Sequence, residues 1–130
     1  MSPAAAEGIM LEAQARKSFE RRNELTLNPA CLENVARPWM RCSVDGICFG
    51  SSALLEIKCG LSNYNGVLKY GRIPPWYFAQ LQHILAVTGY SEINFFSYRP
   101  LKKTLNIVCP RDETFISELI EIEQRFWDSI

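Results

Sequence analysis

The 130-residue chain has one histidine, no Cys-x-x-Cys pair, no excess charge of either sign and no long apolar run. His83 has no cysteine or second histidine near it in sequence, which reads as a helix-surface or core residue rather than a ligand. The five cysteines (Cys31, Cys42, Cys48, Cys59 and Cys109) are odd in number and scattered, which excludes a disulfide framework and a zinc or iron–sulfur knuckle. Buried reduced thiols are expected instead. Fourteen acids balance fourteen bases, so no whole-molecule field draws in a polyanion, and any nucleic-acid contact must come from a local patch. No stretch approaches the roughly 18 apolar residues of a membrane span. The opening Met-Ser-Pro-Ala-Ala-Ala lacks the basic and apolar regions of a signal peptide, so a cytoplasmic protein without a membrane partner is expected. No repeat or low-complexity tract appears, and the length suits a single domain over residues 1–130.

What is present is patterned. From Glu7 to about Arg22 good helix formers carry Leu11, Ala15 and Phe19 at steps of four, a buried stripe. Glu12 borders it, with Arg16 one turn on as an ordinary partner. After Asn28-Pro29, "ACLENVARPWMRCSVDGICFG" reads as one or two strands broken at Arg37-Pro38, and "SALLEIKC" as another. "GLSNYNGVLKYGRIPP" has turn residues and no period, and reads as a loop. Pro75 suits the first turn of a helix that Gly89 ends. "SEINFFSYRP" and "KTLNIVC" read as strands joined by a short turn. Asp112 caps a last helix with apolar Phe115, Leu119, Ile122 and Phe126 at steps of three and four. The fold class is α/β, a mixed central sheet flanked by helices.

Charge inside strand-like sequence needs explaining. With Gly50-Ser51 as a two-residue hairpin turn, Asp45 falls opposite Glu56 and both carboxylates share one sheet face. Alternation adds Lys58 to that face and sends Leu55, Ile57 and Cys59 to the other. Facing like charges destabilise a ladder. A divalent cation between them relieves the cost, and hard oxygen ligands suit Mg²⁺ or Mn²⁺ better than zinc. Such an ion can polarise a phosphoryl oxygen and activate water, with Lys58 serving that water and Glu12 reaching in from the helix. Against this, Asp-Gly is a common turn and Glu-x-Lys a common solvated pair. Tyr64, Lys69, Tyr70, Arg72 and Trp76, in and after the long loop, supply cations and aromatic faces that can grip phosphates and stack on bases, or simply line a solvated loop.

"CSVDG" (42–46), "LEIKC" (55–59) and "YFAQLQ" (77–82), preceded by "GIMLEAQARKSFE" (8–20), together resemble the lambda exonuclease, or YqaJ-like viral recombinase, family of the PD-(D/E)XK (restriction-endonuclease-like) superfamily. The resemblance implies Mg²⁺-dependent hydrolysis of DNA phosphodiesters by a phage-type exonuclease that feeds recombination. Carried over by position, Asp45, Glu56 and the main-chain carbonyl of Ile57 would hold the metal, and Glu12 would complete the acidic set near a second one. Lys58 would serve the attacking water. Gln80 would touch that water or the scissile strand, and Tyr77, three residues earlier on the same helix face, would shape the site and its DNA contacts. Gln82 is open between that helix's function and its packing. Family members form rings around DNA and often work with a single-strand annealing recombinase, so a homo-oligomer and such a partner are expected.

The family's usual N-terminal helical segment, with its arginine for the 5′-phosphate, has no counterpart in the sequence, which leaves processive 5′-to-3′ action open. A structure- or sequence-selective endonuclease of the same superfamily would share every one of these residues. A non-catalytic DNA-binding remnant would have no physical need for the Asp45, Glu56 and Lys58 set.

Overall fold

The computed structural model describes residues 2–130. Helix α1 (Pro3–Asn23) starts earlier than the apolar period suggests, because the Ser2 hydroxyl accepts from the Ala5 amide and Pro3 occupies the first turn. Its buried residues are Leu11, Ala15 and Phe19, the expected stripe. Strands β1 (Asn28–Glu33), β2 (Arg41–Ile47), β3 (Leu54–Lys58), β4 (Glu92–Ser97) and β5 (Leu105–Pro110) form one sheet in sequence order. All neighbours are antiparallel except β3 and β4, which run parallel. A parallel pair needs a crossover, supplied by α2 (Leu61–Tyr70), a 3₁₀ turn (Pro75–Tyr77) and α3 (Phe78–Thr88). Helix α4 (Glu113–Asp128) closes the chain, its N-terminus capped by Asp112 accepting from the Phe115 amide.

Both sheet faces are covered. Ala15 and Phe19 of α1 pack on Leu27, Leu55, Ile57 and Phe96 on one side. On the other, Leu81, Ile84 and Leu85 of α3, Val67 of α2 and Ile116 of α4 meet Val44, Ile47, Leu54, Ile93 and Phe95. Strand β3 is therefore buried on both faces, and the side of Glu56 is as much core as the side of Leu55 and Ile57.

Three expectations are corrected. The "GLSNYNGVLKY" stretch is a helix, α2, not a loop: Tyr64 and Val67, three apart, are buried, and the Tyr64 hydroxyl donates to the Lys103 carbonyl at 2.6 Å. Tertiary anchoring overrides the weak helix propensity of Asn63, Asn65 and Gly66. Tyr64, only 2% exposed, is thereby withdrawn from base stacking. In α4 the core-facing residue is Ile116; Ile122 and Phe126 of the apolar stripe point outward. The β2–β3 connection is wider than a two-residue turn, with the Cys48 amide donating to the Ala53 carbonyl around four intervening residues. The strand register is nevertheless the expected one, Gly46 pairing with Leu55 and Ile47 with Leu54.

Candidate active site

A β-bulge aims Asp45. Between the β1–β2 pairs Asn28–Ile47 and Ala30–Val44, the one residue Pro29 opposes Asp45 and Gly46. Proline, with no N–H to offer, is tolerated at such a break, and bulges redirect side chains. Gly46 suits a close approach: a Cβ there would come within 3.2 Å of Leu27 and 3.3 Å of Leu55, tighter than ordinary contact. Beyond Gly46–Leu55 the β2–β3 ladder stops. The next donor, the Ile57 amide, would face the Val44 carbonyl in a continued ladder and instead donates to Asp45 Oδ2 at 2.7 Å. The Asp45 carbonyl accepts from Arg16 Nε at 2.8 Å.

At this split the Asp45 carboxyl stands near carboxyls from two elements, Glu12 of α1 and Glu56 of β3, close enough to raise the pKa of each. Arg16 Nη2 donates to Glu12 Oε1 at 2.9 Å, so one guanidinium ties Glu12 to the main chain of Asp45. The sequence shows Arg16 only as a helix-surface partner of Glu12; that it also faces β2 follows from α1 docking by the Leu11–Phe19 stripe, whose edge carries Glu12 and Arg16.

Glu56 is 5% exposed. Burial, then the facing Asp45 carboxyl, pushes its pKa up to about 8, against the smaller opposing pull of Lys58. Burial and Asp45 likewise raise Glu12, with Arg16 pulling the other way. Lys58 Nζ lies 3.5 Å from Glu56 Oε1 and 4.7 Å from the centroid of the Tyr77 ring. Tyr77 in turn packs on Phe95 at 5.3 Å between centroids. The ammonium is thus held between the Glu56 carboxyl group and an aromatic face, and Tyr77 enters the site as the support of Lys58.

The remaining expected residues separate. Gln80 is exposed on α3, and its side chain makes no hydrogen bond among the described residues. Gln82 is fully buried and structural: it donates to the Pro110 carbonyl at 2.9 Å and accepts from the Asp112 amide at 2.9 Å, joining α3 to the β5–α4 corner. His83 Nδ1 lies 3.1 Å from Glu123 and Nε2 lies 2.9 Å from the Arg41 carbonyl, away from the acids.

Two clefts meet at Gly60, just past the end of β3. One, of about 530 Å³, is bordered by Glu7, Gly8, Glu12, Ile57, Lys58 and Arg99. The other, of about 570 Å³, is bordered by Tyr70, Arg72, Trp76 and Tyr77. Trp76 is 74% exposed, and the Tyr70 ring has Lys69 Nζ at 5.3 Å and the Arg72 guanidinium at 5.7 Å. Lys69, Tyr70, Arg72, Trp76 and Tyr77 therefore lie at or beside this second cleft, which the buried Tyr64 does not border.

Among the described residues no three acids, histidines or cysteines are disposed to enclose an ion by themselves. Mg²⁺ needs no such cage, since it keeps several waters and uses one or two carboxylates. Asp45 and Glu56, facing like charges with Glu56 raised, are a donor pair of that kind.

Residues 1–91 match the YqaJ-like viral recombinase domain.

The chain belongs to the YqaJ-like viral recombinase family.

This YqaJ-like chain superposes on the alkaline exonuclease LHK-Exo from Laribacter hongkongensis with a TM-score of 0.86 and 24% identity, over 99% of this chain and 69% of that one. The same enzyme in complex with dAMP gives a TM-score of 0.85 and 25% identity over the same shares. A phage-related exonuclease from Haemophilus somnus 129PT gives 0.62 and 16% over 96% and 70%. Among curated proteins none is similar in sequence to this YqaJ-like chain. The fold of this YqaJ-like domain is that of the PD-(D/E)XK nucleases, a mixed five-stranded sheet between helices.

Proposed function

We propose that this YqaJ-like chain is a Mg²⁺-dependent deoxyribonuclease, a phage-type exonuclease acting in DNA recombination, with Mn²⁺ able to substitute. The observation that carries the reading is the convergence of Asp45, Glu56 and Lys58, with Glu12 beside the same Asp45 and both Glu12 and Lys58 bordering a cleft. A structural sheet has no use for a 5%-exposed glutamate facing an aspartate. Asp45, Glu56 and the Ile57 carbonyl would hold the ion, with Glu12 near a second one. When bound, Mg²⁺ supplies charge to stabilise the phosphoryl group and lowers the pKa of the attacking water.

The protein's own groups do the rest. Lys58, fixed by Glu56 and Tyr77, orients the water and steadies the charge that develops on the phosphate. Arg16 holds Glu12 and the Asp45 main chain so that the carboxylates keep their geometry when charged. Gln80 is free to meet the scissile strand. Lys69, Tyr70, Arg72, Trp76 and Tyr77 offer DNA a stacking and phosphate-binding surface one cleft away. That two comparison structures are described as exonucleases, one crystallised with dAMP, supports the exonuclease reading over the endonuclease one.

The test is a pair of substrates. With Mg²⁺, linear duplex DNA should be degraded from its ends while a covalently closed circle stays intact; nicking of the circle would replace the exonuclease by an endonuclease.

A further inference from the structure

Arg99 follows β4, and its guanidinium lies in the cleft that Glu12 and Lys58 border. Lys58 and Arg99 are the two cations bordering that cleft among the described residues. The Lys58 ammonium is taken by Glu56 and Tyr77. Arg99 is held differently. Nη1 donates to the Cys59 carbonyl at 2.9 Å, and the nearest acid, Glu7 Oε1, stands at 3.6 Å, beyond a good hydrogen bond. Glu7 is itself 56% exposed, so it screens the guanidinium loosely. A guanidinium has five N–H donors, and Nε and Nη2 of Arg99 make no hydrogen bond among the described residues. The Arg99 side chain is 24% exposed and borders the cleft.

We infer that Arg99 is a DNA-contacting residue that grips, with its free Nε–Nη2 edge, a phosphate next to the scissile one on the strand being cut, displacing Glu7. The inference rests on the nuclease reading above and adds to it a specific anchor. The Cys59 carbonyl fixes the guanidinium one residue beyond Lys58, so a strand whose scissile phosphate meets Lys58 brings a neighbouring phosphate to Arg99. The planar edge matches two phosphate oxygens, which an ammonium cannot do. Glu7 on the opposite wall holds the place of the phosphate until DNA arrives.

The test is equilibrium binding of a short blunt DNA duplex across a salt series, with Ca²⁺ in place of Mg²⁺ so that the strand is not cut. Arg99→Ala should weaken binding about tenfold, as loss of one charge-assisted contact does. Its plot of log affinity against log salt should be shallower by about 0.7–0.9. Arg99→Lys should keep the slope and bind more weakly than wild type, and Glu7→Gln should bind more tightly. Melting temperatures of all variants separate binding from folding: if Arg99→Ala only melts earlier, with wild-type slope and affinity at a temperature where it is folded, Arg99 is a strut for Cys59 and the inference is overturned. If wild type binds with a clear salt slope and Arg99→Ala matches it, the anchor fails and the nuclease reading stands. If wild type binds no DNA, both fall.

Discussion

At the scale of single residues, the site is a problem of crowded carboxylates. Glu56 carries its proton up to about pH 8 in the folded chain, against an ordinary 4.5, because it is buried and faces Asp45. A folded pKa above the unfolded one means that the protonated form favours folding. In the metal-free protein this contribution is complete below about pH 4.5 and disappears as pH rises through 8. Glu12 acts in the same direction. Metal-free wild type should therefore lose melting temperature between pH 5 and 8, and Glu56→Gln should flatten that decline and melt higher at the alkaline end. Mg²⁺ should raise the wild-type midpoint at pH 8 and leave Glu56→Gln nearly unmoved; differential scanning fluorimetry reads both. The cysteines follow the same physics. Burial pushes Cys42 up to about 11, whereas a hydrogen bond from Ser51 lowers Cys48. Alkylation at neutral pH, followed by mass spectrometry, should label Cys48 well ahead of Cys42.

At the scale of elements, the β2–β3 hairpin and α2 carry the account. Gly66 sits in α2, and a Cβ added there would meet nothing within 4 Å, so Gly66→Ala should raise stability by about 0.5–1 kcal/mol in chemical denaturation. Gly46→Ala, pressed on Leu27 and Leu55, should lower stability and activity together, because Gly46 lies in the bulge that carries Asp45. The contrast explains what was legible in the sequence. That Asp45 and Glu56 come side by side could be read because the register of Gly46 on Leu55 leads to it, even though the ladder itself stops there and the connecting loop is wider than expected. The bulge could not, since it depends on β1 and Pro29, remote in sequence. Helix α2 was hidden because its stability comes from Tyr64 reaching the Lys103 carbonyl rather than from its own residues. Arg16 and Arg99 act through contacts 29 and 40 residues away, which no local pattern announces.

At the scale of the whole molecule, a neutral chain gathers its working charge at the ends of β3 and β4 and leaves an apolar face elsewhere. Ile122, Phe126 and Ile130 at the far end of α4 are 62%, 68% and 79% exposed. Such an exposed surface suits the homo-oligomer that the family resemblance leads one to expect. Sedimentation should find an assembly in wild type and smaller species in Phe126→Glu, with the melting temperature of the variant close to that of wild type. The activity itself is decided by one measurement: release of acid-soluble nucleotide from linear duplex DNA in Mg²⁺ by wild type, Asp45→Asn, Glu56→Gln and Lys58→Ala, each shown to be folded. Wild type should release nucleotide, and every variant should fall by about a hundredfold or more. Folded wild type as inactive as the three variants would contradict the account.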